Sequence, residues 1–147
     1  MAKNYFAPMH TAEHILNQTM VRKFGCDRSF SNHIEKKKSK CDYHFSRNLV
    51  ESEISSITSI VNEEISKNHD VTEEYINIDV AEKIFNLSRL PESTGNYVRI
   101  IKIGDYDSCP CIGEHVNNTS IIGEFKIIST SFDDGILRIR FRLSDIL

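Results

Sequence analysis

Between Pro8 and Gly25 the apolar residues Ala12, Ile15, Leu16, Met20 and Phe24 recur at helical spacing, with Thr19 on the same stripe. That is the period of an amphipathic helix, and Pro8 suits a first turn as Gly25 suits a stop, so the spacing predicts a helix over 9–24. The period then changes. Lys40-Cys41-Asp42-Tyr43-His44-Phe45 alternates as a half-buried strand does, and the basic residues at 36–40 lead into it as a loop or strand edge. Val50, Ile54, Ile57, Val61 and Ile65 restore the helical period over about 49–67, with Glu51, Glu53, Glu63 and Glu64 on the wet side. Val71 to Ile78 reads as a strand, Val80 to Leu87 as a short helix, and Leu90-Pro91-Glu92-Ser93-Thr94-Gly95 as the loop that ends it. The last third is rich in β-formers. Tyr97–Ile103, Glu124–Ser129 and Ile136–Leu143 are predicted strands, and Asp133-Asp134-Gly135 is the turn of a closing hairpin. This order of elements predicts an α+β fold: an N-terminal helix, a long second helix and a mainly antiparallel sheet. No repeat or linker interrupts it, so residues 1–147 are expected to form one domain.

Composition narrows the function. A chain of 147 residues can bury roughly 70% of its unfolded surface, so it needs neither a disulfide nor a metal merely to fold. Any metal site therefore invites a functional reading. Hydrophobic residues at 39% and charged residues at 27%, with 6 Gly and 3 Pro, exclude disordered and collagenous classes. The first twenty residues hold no continuous apolar region and no stretch of eighteen apolar residues occurs, so neither export nor a membrane span is expected. The expected compartment is cytoplasmic and reducing, with Cys26, Cys41, Cys109 and Cys111 as thiols or thiolates.

A net charge of −3 argues mildly against a general nucleic-acid binder, yet the charge is unevenly placed. From Val21 to Asn48 eight Lys and Arg stand against three acids, a local +5, whereas from Leu49 to Tyr97 three stand against ten, a local −7. A polyanion would meet the first segment, where Lys36, Lys37, Lys38 and Lys40 cluster. A second basic feature lies in the last strand. There Arg138, Arg140 and Arg142 share one face while Leu137, Ile139, Phe141 and Leu143 share the other, a linear stripe able to follow phosphates. A solvated strand face explains the same pattern.

Candidate chemistry is concentrated in two short motifs. His10 and His14 stand four apart on the predicted first helix, so both imidazoles project from one face. Cys111-Ile112-Gly113-Glu114-His115 places a thiolate and an imidazole four apart across a loop turned at Gly113. Together the two motifs offer three imidazoles and one thiolate, a set suited to a borderline-soft ion such as zinc, one per chain. His33, His44 and His69 have no spacing partner and read as surface or packing residues.

These motifs resemble a known family. His10-Thr11-Ala12-Glu13-His14-Ile15-Leu16 is similar to the HTAxHLL helix of the editing domain shared by alanyl- and threonyl-tRNA synthetases and by free-standing AlaX-type proteins. Cys111-Ile112-Gly113-Glu114-His115-Val116 is similar to that family's CxGxHV loop. Asp42-Tyr43-His44-Phe45, Val61-Asn62-Glu63-Glu64-Ile65 and Thr119 to Phe125 extend the likeness from about Pro8 to Leu143. The resemblance implies zinc held by His10, His14, Cys111 and His115, and hydrolysis in trans of the ester of a mischarged aminoacyl-tRNA. The HTAEHIL helix is closest to the alanyl branch, which implies a seryl ester on a tRNA specific for alanine. Two positions depart from the family pattern: Glu114, where Thr or Pro is usual, and Cys109, where threonyl-type domains tend to carry an acid.

Glu13 and Glu114 are then the candidates for proton transfer, and Thr11, Cys109 and Gly113 for substrate contact, with packing as the plain alternative for Cys109. Two other readings stay open. Four protein ligands also suit a closed structural site in a non-catalytic zinc-stabilised binding module. His10-Thr11-Ala12-Glu13-His14 further matches the H-x-x-E-H motif of inverted zinc peptidases, with Glu13 as base and a distant carboxylate such as Glu92 as third ligand. That reading leaves Cys111 and His115 unused.

Overall fold

The first helix forms where the periodicity places it, and it organises the rest of the chain. A computed structural model describes residues 6–87 and 95–144. Helix α1 (Ala7–Phe24) takes Pro8 in its first turn and ends at Gly25, whose backbone, at φ 70°, closes on the Val21 carbonyl. It is buried nearly all round from Met9 to Asn17, so His10, Glu13 and His14 enter the interior together with Ala12, Ile15 and Leu16.

After α1 the chain makes a short strand β1 (Ser31–His33), then β2 (Ser39–His44), α2 (Glu51–Ser66), β3 (Val71–Asn77) and α3 (Ile78–Ile84). Strands β4 (Tyr97–Ile103) and β5 (Asp107–Pro110), a 3-10 turn at Thr119–Ile121, and the hairpin β6 (Glu124–Asp133) and β7 (Ile136–Ser144) complete it. The strands form two antiparallel sheets rather than the single sheet expected, in the orders β1-β2-β7-β6 and β3-β4-β5. The hairpin turn falls at Asp134 and Gly135, both at positive φ, 49° and 78°, as a two-residue connection between right-twisted strands requires. Strand β6 runs past the expected end at Ser129 because its ladder with β7 continues to Asp133, across a register shift between Ile127 and Ser129.

Strand parity decides what each sheet buries. On the first sheet Cys41, Tyr43, Leu137, Ile139 and Phe141 turn inward against α1 and α2, with Phe125 and Ile127 of β6 beside them. The arginines of β7 take the other face. On β4, Ile103 reaches this main core while Val98 and Ile100 pack with Ala81 of α3 in a smaller cluster. Asn62 of α2 ties the two layers: its side chain donates to the Phe125 carbonyl at 2.9 Å and accepts from the Phe125 N–H at 2.8 Å.

Boundaries shift where side chains cap the backbone. Helix α3 starts two residues earlier than expected because the Asn77 side chain accepts the Asp79 N–H, and it ends at Ile84 where Phe85 turns extended. Of the expected loop at 90–95 only Gly95 is described; Glu92 lies outside the described residues. No helix among the described residues is long and apolar enough to cross a membrane.

Candidate metal centre

Helix α1 supplies His10 and His14, one turn apart, and the loop that follows β5 supplies Cys111 and His115. Arg99 of β4 holds that loop. Its guanidinium donates to the carbonyls of Cys111 and Gly113 at 3.1 and 2.7 Å, and its own carbonyl accepts the Cys111 N–H at 3.2 Å. One potential ligand atom from each of the four residues falls within 4.8 Å of the others.

The imidazoles are oriented from behind. The Thr11 hydroxyl donates to the Ala7 carbonyl, so its oxygen accepts from the Val116 N–H and from His115 Nδ1, at 3.2 and 3.0 Å. That fixes His115 with its other nitrogen bare, 3.5 Å from Cys111 Sγ. His10 repeats the arrangement, with Nδ1 3.2 Å from the Glu114 carbonyl and Nε2 3.5 Å from Cys111 Sγ. His14 Nδ1 lies 3.5 Å from Asp107 Oδ2, close enough for charge attraction but without a hydrogen bond. Three imidazoles thus turn Nδ1 to outer oxygens, and two of their Nε2 atoms sit beside one thiolate. Metal-ligating histidines are oriented by outer partners in this way.

Electrostatics agree with ligation at Cys111 and His115, whereas at His14 burial is outweighed by Glu13, Asp107 and Cys111, which raise the imidazole, so a metal would have to displace its proton. Burial opposes ionisation of Cys111, but hydrogen bonds from His10, His115 and His14 bring the thiol down to about 3, so it is a thiolate. Burial pushes His115 down to about 4 against the pull of that thiolate, so its imidazole is neutral, as a ligand must be. Asp107 is buried too, yet His14 and Arg28 hold its carboxyl well below the usual carboxylate range. Arg28 binds both its oxygens, at 2.7 and 3.2 Å. The donor set and these charges fit zinc.

Gly113 is explained by packing. A Cβ there would sit 2.1 Å from His10 Cε1. Gly113→Ala should therefore push the His10 ring out of line and weaken zinc binding by about 10–100-fold, the loss that follows when a ligand's support is disturbed. Competition with a chromophoric chelator measures it. An unchanged affinity would show that the His10 ring has room to move.

Comparison with known proteins points to one family. Residues 98–140 match the family model described as the threonyl and alanyl tRNA synthetase second additional domain. The alanine–tRNA ligase of Fervidobacterium nodosum is 36% identical over 123 residues, 83% of this chain and 14% of the relative. That of Nitrosomonas europaea is 31% identical over 138 residues, 89% of this chain and 15% of the relative. The chain carries an alanyl-type second additional domain. It spans only about one seventh of the length of these curated relatives.

In this second additional domain His10, His14 and Cys111 border a cavity of about 960 Å3, with His115 behind them. Glu13, Cys109 and Gly113 line it with them, whereas Thr11 is fully buried behind His115 and does not. Thr11 thus orients a ligand candidate from behind the cavity wall. Glu13 is anchored in the wall by the side-chain amides of Asn17 and, at 3.4 Å, Asn32, with Oε1 3.8 Å from His10 Nε2. Glu114 differs from its expectation: it is exposed and outside the cavity lining, and its contribution to the site is the carbonyl that holds His10. Cys109 lies outside the ligand group and burial pushes its thiol up, so it meets the cavity as a neutral thiol.

The basic residues are dispersed. Lys36, Lys37 and Lys38 are exposed in the loop between β1 and β2. Arg138 is bound in a bidentate pair to Asp42 at 2.7 and 2.9 Å, which removes it from the free stripe. Lys40 stands opposite Arg140, and Arg142 opposite Lys126, a residue the sequence reading passed over. His69 packs as expected, bonded to Glu64 at 2.9 Å, but His33 and His44 line the cavity. Arg99, Asp107 and Arg28 were missed as well, because none of them belongs to a spaced motif and each acts through a contact between distant strands.

Proposed function

We propose that residues 1–147 form one zinc-dependent editing domain, a hydrolase that removes a wrongly attached amino acid from tRNA. The observation that carries the reading is the convergence of His10, His14, Cys111 and His115 beside a cavity that also holds the anchored Glu13 carboxylate. The alanyl-type likeness supports a seryl ester on a tRNA specific for alanine as the substrate.

Zinc held by three neutral imidazoles and one thiolate keeps about one positive charge and supplies Lewis-acid attraction for an electron-rich substrate group. The chain's own residues do the rest. Glu13 accepts the proton of a water that attacks the ester carbonyl carbon, and returns a proton to the ribose oxygen as the bond to the amino acid breaks. Asn17 and Asn32 each donate to one of its oxygens and so fix the orientation of the carboxylate, leaving little rotamer freedom to be lost in the transition state. Cys109 and the Gly113 backbone bound the space for the amino-acid side chain. Outside the cavity, Lys36, Lys37, Lys38, Lys40, Arg140 and Arg142 meet backbone phosphates, with Arg138 reached only if its pair with Asp42 opens.

A panel of mischarged tRNAs tests the reading: seryl-tRNA should lose its ester while the correctly charged alanyl-tRNA keeps it. Zinc retained with no ester lost on any member would leave the binding module of the same fold. If tRNA is the substrate, turnover should weaken steeply as salt rises, because neutralised phosphates release counterions. Lys36→Ala, Lys37→Ala and Lys38→Ala combined should raise KM for tRNA and flatten that slope at unchanged zinc content. A triple variant with the parent's KM and slope would remove this loop from the tRNA contact.

A further inference from the structure

The cavity is larger than the amino acid it would discriminate. Pockets of roughly 300–1,000 Å3 bury most of a drug-sized ligand, and this one, at about 960 Å3, lies at the top of that range. His10, His14, Cys111 and Glu13 occupy one part of its wall. Another part is aromatic: Phe30, just before β1, and His44, at the end of β2, lie face to face with ring centroids 4.0 Å apart and planes 11° from parallel. Both remain exposed, Phe30 at 37%.

The pair is built into the sheet. The Phe30 N–H donates to the Asp42 carbonyl at 3.0 Å, the next residue, Ser31, is in register with Asp42, and His44 pairs with Ile136 of β7. A rigid, exposed, parallel aromatic stack inside a solvent-open cavity is the surface on which a nucleic-acid base stacks. Strand alternation adds a charged track beside it. His44, Asp42 and Lys40 share one face of β2, and Arg138 and Arg140 stand opposite Asp42 and Lys40. Asp42 is paired with Arg138, so a strand leaving the stack toward Lys40, about 13 Å away at the strand rise, meets a net positive charge from Arg138, Lys40 and Arg140 against the single Asp42 carboxylate.

We propose that the stacked Phe30 and His44 rings bind the terminal nucleobase of the substrate, placing its ribose ester toward the metal centre. The proposal rests on the editing reading given above, and it names the part of the substrate that fills the remaining cavity.

The test uses three seryl esters, on tRNA, on adenosine and on methanol, together with titration of free adenosine into the zinc-loaded protein. Phe30→Ala should lower the selectivity for the adenosine ester over the methyl ester by about 5–150-fold, the loss that removal of one base–aromatic stack gives, and should do so through KM. It should weaken adenosine binding by a similar factor. Phe30→Tyr should restore both and Phe30→Leu neither, because a flat ring rather than apolar bulk is required. Parental selectivity and adenosine affinity in Phe30→Ala, or rescue by Leu equal to that by Tyr, would overturn the proposal. Wild-type protein that binds adenosine through Phe30 yet hydrolyses none of the esters would overturn the editing reading and leave the nucleobase site standing.

Discussion

Cys111→Ala should release the metal: protein that carries close to one zinc per chain should retain almost none after dialysis. His115→Ala should behave alike. The sulfur is the one anion of the ligand set and sits 3.5 Å from both His10 Nε2 and His115 Nε2, so its loss leaves imidazoles with nothing negative between them. Disturbing a residue that merely supports a ligand costs about 10–100-fold in affinity, and loss of a ligand should exceed that. Secondary structure should survive, because Cys111 lies in a half-buried loop and the main core is built from α1, α2 and the four-stranded sheet. His33→Ala, at the cavity but outside the ligand group, should keep its zinc. Metal analysis with far-ultraviolet circular dichroism checks all three, and full zinc content in Cys111→Ala would remove it from the ligand set.

Glu13→Gln should lower kcat for ester hydrolysis by about 10²–10⁴-fold, the range that a positioned general base supplies, with zinc retained. It also has a structural cost with a traceable origin. The Asn17 and Asn32 amides donate to different oxygens of Glu13. A Gln side chain offers one oxygen and one NH2, so one donor faces another, at about 1–3 kcal/mol for a buried unsatisfied group. Thermal unfolding separates this loss from the chemical one, since measurement of kcat below the unfolding transition reads only folded protein. A Glu13→Gln variant with the parent's kcat would contradict the proton-transfer role.

How much of this was legible beforehand follows from where each signal lies. Helices α1 and α2 and strands β2, β4 and β7 carry apolar periods of their own, and the structure has them, together with β3, within a few residues of the expected limits. Strand β1, Ser-Asn-His, has no apolar alternation because it lies at a sheet edge, and β5, Asp-Ser-Cys-Pro, is a strand only through its ladder with Ile100–Ile103. The same division holds at the metal centre. The ligand candidates are spaced four apart within single elements, so two motifs sufficed to name them. Their supports are not local: Asp107 meets His14, Arg99 reaches back to the Cys111 loop, and Asn32 meets Glu13 across unrelated stretches of chain. The outward turn of Glu114 was equally illegible, since sequence adjacency to His115 places its backbone but not its carboxylate.

Hydrolysis that depends both on the metal and on a mischarged tRNA is read in a single series: the rate of ester loss from seryl-tRNA specific for alanine, on one preparation as purified, after chelation, and after zinc is restored. Rapid loss, then loss at the uncatalysed rate, then recovery is the expected sequence, with alanyl-tRNA spared throughout. Ester loss that continues undiminished in chelated protein shown to be zinc-free, or equal loss from the seryl and alanyl esters, would contradict it.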